Sequence, residues 1–197
     1  MVDNKRAKAQ DAEARICCKR ILLAGFRATG KSLVGRLLAD RIGWEFLDTD
    51  ALLCKQTGHT VAACVKRFGW QRFRQMEEQL LSDLGKRSSV VIATGGGAIV
   101  HEQAWQTLRK KSIVIWLCAD AQTIENRLRF DSHSKHQRPS LTGEEPYVEI
   151  RKLLAERTPL YRQGSDFAVT TDERSPLELV MEIERALEAF TGDRQNV

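Results

Sequence analysis

The chain has 197 residues, 42% of them hydrophobic and 29% charged, with a formal net charge of +5. That length suits one domain with a sizeable core, and no apolar run approaches the roughly 18 residues of a membrane span. The basic excess is split between "MVDNKRAKAQDAEAR" and isolated arginines, without a lysine-rich tract or an aromatic-studded basic stripe, so small anionic ligands rather than nucleic acid are the expected partners. The five cysteines, Cys17, Cys18, Cys54, Cys64 and Cys118, form no C-x-x-C pair or metal spacing. A reducing cytoplasm fits them, with Cys17, Cys18 and Cys118 as small buried hydrophobes in apolar runs.

Residues 1–19 read as a charged tail and the lead-in to the first strand; no continuous apolar stretch of a secretory signal is present there. The strand candidate "RILLAGF" then runs into "GFRATGKS", Gly25 to Ser32, and the helix candidate "GKSLVGRLLADRI" follows. Pattern and context together make a phosphate cradle. Gly25 and Gly30 let the backbone curl so that amides at a helix N-terminus face phosphate oxygens. Lys31 then reaches the β and γ phosphates and the Ser32 hydroxyl ligates Mg²⁺. Arg27, inside the loop, either adds a cation near the phosphates or faces solvent. The cradle alone names no reaction, because switches, helicases, transporters and small-molecule kinases all use it.

The second strand candidate, "WEFLDTD", ends on two carboxylates whose alternation in an extended segment puts Asp48 and Asp50 on one side, at the ligand-binding edge of an open α/β sheet. Asp48 is suited to Mg²⁺ through its water shell and Asp50 to a hydroxyl of the acceptor; capping the helix "ALLCKQTG" is the alternative for Asp50. Helix candidates "TVAACVKRF" and "RFRQMEEQLLSDLGKR" come next, the latter with Arg74 and Glu77 one turn apart. Arg72 and Arg74 cannot both face inward on it, so one is solvated. The third strand candidate, "SVVIATG", opens into Gly95-Gly96-Gly97, where backbone can approach a ligand unobstructed.

Downstream, "HEQAWQTLRKK", "SIVIWLCA" and "AQTIENRLRF" read as helix, strand and helix. The polar segment 131–146, "DSHSKHQRPSLTGEEP", lacks apolar periodicity and reads as a lid, with His133 and His136 as solvated side chains rather than a metal pair. "YVEIRKLLAERTPLYRQ", "DFAVTT" and "SPLELVMEIERALEAF" then give helix, strand and helix, before a short tail at 191–197. Alternation of Val/Ile/Leu-rich strands with amphipathic helices predicts an α/β sandwich: a five-stranded parallel sheet covered on both faces, with a helical substrate-binding segment near 50–78.

From about Arg20 to Phe190 these motifs, in this order, resemble the shikimate kinase family of P-loop proteins: the cradle, the D-x-D of "FLDTD", "FR" with glutamate three residues later, Gly-Gly-Gly, "RP" in the lid and "R-x-x-L-Y" in "ERTPLYRQ". The lid stretch "QRPSLTG" further resembles type II bacterial shikimate kinases. The resemblance implies ATP-dependent phosphorylation of the shikimate 3-hydroxyl, with ATP and Mg²⁺ as cofactors, by a monomer without nucleic-acid or membrane partners. It implies Ala28, Thr29, Gly30, Lys31, Ser32 and Leu33 for the nucleotide, with Arg174 and Pro176 bordering adenine. Mg²⁺ would be held by Ser32 and Asp48, and shikimate by Asp50, Arg74, Gly95, Gly96, Gly97 and Arg157. Lys31, Asp50 and Arg138, the last from the lid, are the implied catalytic residues. Arg127 and Arg129 both remain candidates for the arginine that stacks on adenine. The rivals are a kinase for another polyol acid such as gluconate, which would not need the full set of Asp50, Arg74, Gly96 and Arg157, and a nucleotide-dependent regulator, which would show damage at Lys31, Asp50 or Arg138.

Overall fold

The structure, a computed structural model, describes residues 18–130 and 145–192. Arg138, His133, His136 and Cys17 lie outside the described residues, as do nearly all of the expected lid and most of both tails. Five strands, β1 (Arg20–Ala24), β2 (Glu45–Asp48), β3 (Val90–Ala93), β4 (Ser112–Cys118) and β5 (Phe167–Thr170), form one parallel sheet in the order β2-β3-β1-β4-β5. The helices are α1 (Lys31–Ile42), α2 (Thr49–Thr57), α3 (Val61–Leu84), α4 (Glu102–Arg109), α5 (Ala121–Phe130), α6 (Pro146–Gly164) and α7 (Pro176–Gly192).

Strand alternation sorts the core. Ile21 and Leu23 of β1, with Ile113 and Ile115 of β4, pack against Val34 and Leu38 of α1 and Val180 and Ile183 of α7. Leu22, Ile92 and Val114 face the opposite side and meet Leu80 and Leu81 of α3, Leu108 of α4 and Tyr161 of α6. Each aliphatic side chain so buried contributes about 1.5–3 kcal/mol; with both faces covered, the carboxyl ends of the parallel strands are where a site can form. A third cluster joins Phe26 to Ile124 of α5 and to Ile150 and Leu153 of α6.

The separate helix segments expected at 60–68 and 72–87 appear as α3, which breaks at Gly69 with φ 78 and ψ 164. A side chain is strained at that φ, so glycine is what allows the break. Trp70, Phe73 and Arg74 follow it directly. At the opposite end of the sheet, buried Arg20 clamps two loops through three carbonyls: Nη1 donates to those of Gly85 and Arg87, both at 2.7 Å, and Nη2 to that of Lys110. Burial lowers its pKa, and the carbonyls take the place of water around the cation. The described cysteines are free thiols; only Cys64 is buried, while Cys18, Cys54 and Cys118 are half-buried. The burial expected at Cys118 is reduced because it closes β4 at the open edge, beside Val169 and Thr170.

Candidate active site

Register brings the ends of β1, β2 and β3 together, since Leu23 pairs with Ala93 and Ala93 with Asp48. Between β1 and α1 the loop turns through positive φ at Gly25 (140), Ala28 (62) and Gly30 (87). A β-carbon on Gly25 would overlap the Leu117 carbonyl. Thr29 Oγ1 donates to the Phe26 carbonyl at 2.9 Å, and buried Lys31 reaches across the loop to the same oxygen at 2.6 Å. Gly30 sits at the head of α1 without a side-chain cap, which leaves that helix end to a ligand. Leu33 is half-exposed just beyond.

β2 stops at Asp48 and the chain enters α2 at once, so the strand alternation expected to align Asp48 with Asp50 ends two residues too early. The cap falls on Asp48 instead of Asp50. Its Oδ1 accepts from the backbone N–H groups of Asp50 (3.0 Å) and Ala51 (3.2 Å), and its Oδ2 from Ser32 Oγ at 2.5 Å. The two residues expected to serve Mg²⁺ therefore touch, and they offer hard oxygen donors beside the phosphate cradle, a donor set that fits that ion. Asp50 lies half-buried in the first turn of α2, where the helix dipole favours its charge.

Next to the cradle is a cleft of about 430 Å³, counted out to its open mouth. Phe26, Val61, Trp70 and Phe73 form its apolar wall; Arg27, Arg74, Glu77 and Arg157 bring charge, and Gly96 and Gly97 bring backbone. Arg74 lies over the Trp70 ring at 5.4 Å and pairs with Glu77. Glu77 is buried and also meets Nε2 of buried His101 at 3.4 Å. Burial opposes its ionisation, but His101 and Arg74 outweigh that and hold its pKa below the usual carboxylate value. Arg157 reaches the cleft from α6 and donates to the Gly96 carbonyl at 3.1 Å; burial, and then the like charge of Arg74, lower its pKa. A site this rich in guanidinium is poised for an anion.

The structure distributes the remaining expected residues as follows. Arg72 is exposed and Arg74 turns inward, because Phe73 and Glu77 define the buried face of that helix. Gly95 is not part of the cleft lining: its N–H donates to Thr49 Oγ1 at 2.8 Å and its carbonyl accepts from Ala98 N–H. Of the two alternatives for Arg27, the solvent-facing one does not hold: it lines the cleft and pairs at 3.0 Å with Glu149 of α6, only 1% exposed. Arg127 donates to the Ala28 and Thr171 carbonyls at 3.2 and 2.6 Å, while Arg129 is exposed and pairs with Glu125. Of the two, Arg127 borders the nucleotide loop. Arg174 is tied to Glu182 of α7, and Pro176 opens that helix. His101, Glu149 and the aromatic wall carried no sequence signal beyond helical periodicity.

A phosphate cradle facing an anion-binding cleft across one sheet edge is the arrangement of a P-loop kinase acting on a small acid. A model of the shikimate kinase family matches residues 27–188. A shikimate kinase of Nitratidesulfovibrio vulgaris is 39% identical over 173 residues, covering 87% of this chain and 97% of that one. The solved shikimate kinase of Acinetobacter baumannii, in complex with shikimate, superposes with a TM-score of 0.82 at 32% identity, covering 90% of this chain and 97% of that one. A gluconokinase of Sinorhizobium meliloti shares the fold alone, with a TM-score of 0.54 at 16% identity over 92% of this chain and 98% of that one. The chain belongs to the shikimate kinase family.

Proposed function

We propose that this enzyme transfers the γ-phosphoryl group of ATP to the 3-hydroxyl of shikimate, giving shikimate 3-phosphate and ADP for aromatic amino-acid biosynthesis. The observation that carries this reading is the cleft in which Arg74 and Arg157 converge beside Gly96 and Gly97, one loop away from the phosphate cradle. Planar guanidinium forks suit a ring carboxylate, and the apolar wall suits the ring.

The cradle amides from Ala28 to Leu33 bind the phosphates, and Lys31 turns from the Phe26 carbonyl toward the transferring group. Arg174 and Pro176 border the adenine. Ser32 and Asp48 would hold Mg²⁺, which would supply positive charge against that of the phosphates. Asp50 orients the 3-hydroxyl and accepts its proton, while Arg74, Arg157 and the Gly96–Gly97 backbone fix the ring. Arg138, outside the described residues, is assigned to the phosphates by the "RP" motif. Its replacement by alanine is expected to lower turnover about a hundredfold, as loss of one charge stabiliser does. ATP and shikimate are the partners of a cytoplasmic monomer. Free thiols among the described residues and the absence there of a helix able to cross a membrane are compatible with that setting.

The deciding experiment compares ADP release with shikimate, quinate and gluconate side by side. Turnover with shikimate well above the other two is expected; preference for gluconate would overturn the assignment.

A further inference from the structure

Three successive glycines leave the peptide planes between them free to flip, so something outside the run must hold each one. The Gly95 amide is held by Thr49 Oγ1, the Gly95 carbonyl by Ala98 N–H and the Gly97 carbonyl by Val100 N–H. The Gly96 carbonyl lies between these fixed points. It accepts two bonds from one helix: Tyr161 Oη at 2.6 Å and Arg157 Nη1 at 3.1 Å. Arg157 and Tyr161 stand four residues apart on α6 and therefore share a face. Tyr161 is 1% exposed, and Trp116 stacks on its ring at 5.9 Å with 21° between the planes. That packing gives the hydroxyl little freedom.

We infer that Tyr161 is a positioning residue of the acceptor site, its hydroxyl locking the Gly96–Gly97 peptide in one orientation while setting Arg157 against the same carbonyl. In a trans peptide the N–H of Gly97 points opposite to the carbonyl of Gly96. Holding the carbonyl toward α6 therefore fixes the direction in which the Gly97 amide donates. The shorter of the two bonds comes from a group that carries no charge to lend to the substrate. Arg157, whose guanidinium has further N–H donors, is thus left with a fixed edge on the carbonyl and the remainder for the acceptor carboxylate. This role rests on the proposed shikimate reading of the cleft.

The test is Tyr161→Phe, which keeps the ring and its stack on Trp116 and deletes one hydroxyl. The KM for shikimate is expected to rise on the order of tenfold, as for a lost buried hydrogen bond, with the KM for ATP and the melting temperature nearly unchanged. With ¹⁵N-glycine labelling, the Gly97 amide resonance should shift or broaden in the variant without ligand. A double-mutant cycle with Arg157→Lys should be non-additive, because both side chains act on one oxygen. A shikimate KM within twofold of the parent, or equal losses for both substrates together with a lowered melting temperature, would assign Tyr161 to packing alone. If the parent enzyme does not use shikimate at all, the functional reading fails; if it does and the variant matches it, only the role of Tyr161 fails.

Discussion

The guanidinium of Arg74 occupies the space that a β-carbon on Gly97 would take: such an atom would overlap Nη1 and stand 3.0 Å from Cζ. Gly97 has φ −99 and ψ −4, which any residue adopts. Alanine there costs no backbone strain, and the overlap is relieved by moving the end of a flexible side chain. Gly97→Ala is therefore expected to fold normally and to displace Arg74, raising the shikimate KM at least about tenfold with the ATP KM unchanged. Steady-state kinetics and a thermal melt check both halves. A normal KM would mean that Arg74 has a second productive position.

Glu77 joins Arg74 to His101 in the interior, and its folded pKa lies below the usual value. The unfolded chain then binds the proton more readily, so the stabilisation is complete above the ordinary glutamate pKa of about 4.3 and is lost as pH falls through the folded value. Melting temperatures of the parent and Glu77→Gln, followed from pH 7 down to pH 3, should differ most at neutral pH and converge in acid. A gap that widened on acidification would contradict the sign.

The two arginines of the cleft should tolerate lysine poorly. Arg74→Lys and Arg157→Lys keep a cation but lose the planar fork, and each is expected to weaken shikimate binding by about 1.5–3 kcal/mol. Isothermal titration with shikimate measures this directly. Exposed Arg72, bonded only to its neighbour Gln75 among the interactions seen, serves as the control and should show no change.

Lys31→Ala and Asp50→Asn should both abolish transfer while the fold survives, yet they act on different sides. In the proposed mechanism Lys31, at the head of α1, serves the donor and Asp50, in the first turn of α2, the acceptor, so shikimate affinity should persist in Lys31→Ala and fall in Asp50→Asn. Calorimetric titration of both variants separates the roles, and near-normal turnover with unchanged affinity in Asp50→Asn would remove Asp50 from the mechanism.

The five strands were legible as short, nearly continuous aliphatic runs, buried at every position in β1 and β3, and the helices between them as apolar residues recurring near every fourth position. The cradle was legible because its glycines, Lys31 and Ser32 are close in sequence. Arg74 and Arg157 came from family motifs, since nothing local marks an arginine as inward. What stayed hidden has a common cause: polar groups were buried by partners far along the chain. Arg27 and Glu149 are 122 residues apart, Arg20 and Gly85 are 65 apart, and neither pairing leaves a periodic trace. At Asp48 the error was smaller. Strand and helix both tolerate "DTD", and only the cap geometry decides where one gives way to the other.

That cap has a consequence for genetics. Asp48 turns one oxygen to Ser32 on the donor side and the other to the backbone amides that begin the helix of Asp50. Asp48→Ala therefore removes the helix cap and the pairing with Ser32 together, whereas Asp48→Asn keeps a capping oxygen and loses only the carboxylate beside Ser32. A selection for revertants of Asp48→Ala should yield true reversion almost exclusively, because a compensating change elsewhere would have to rebuild a helix start and a pairing with Ser32 at the same time.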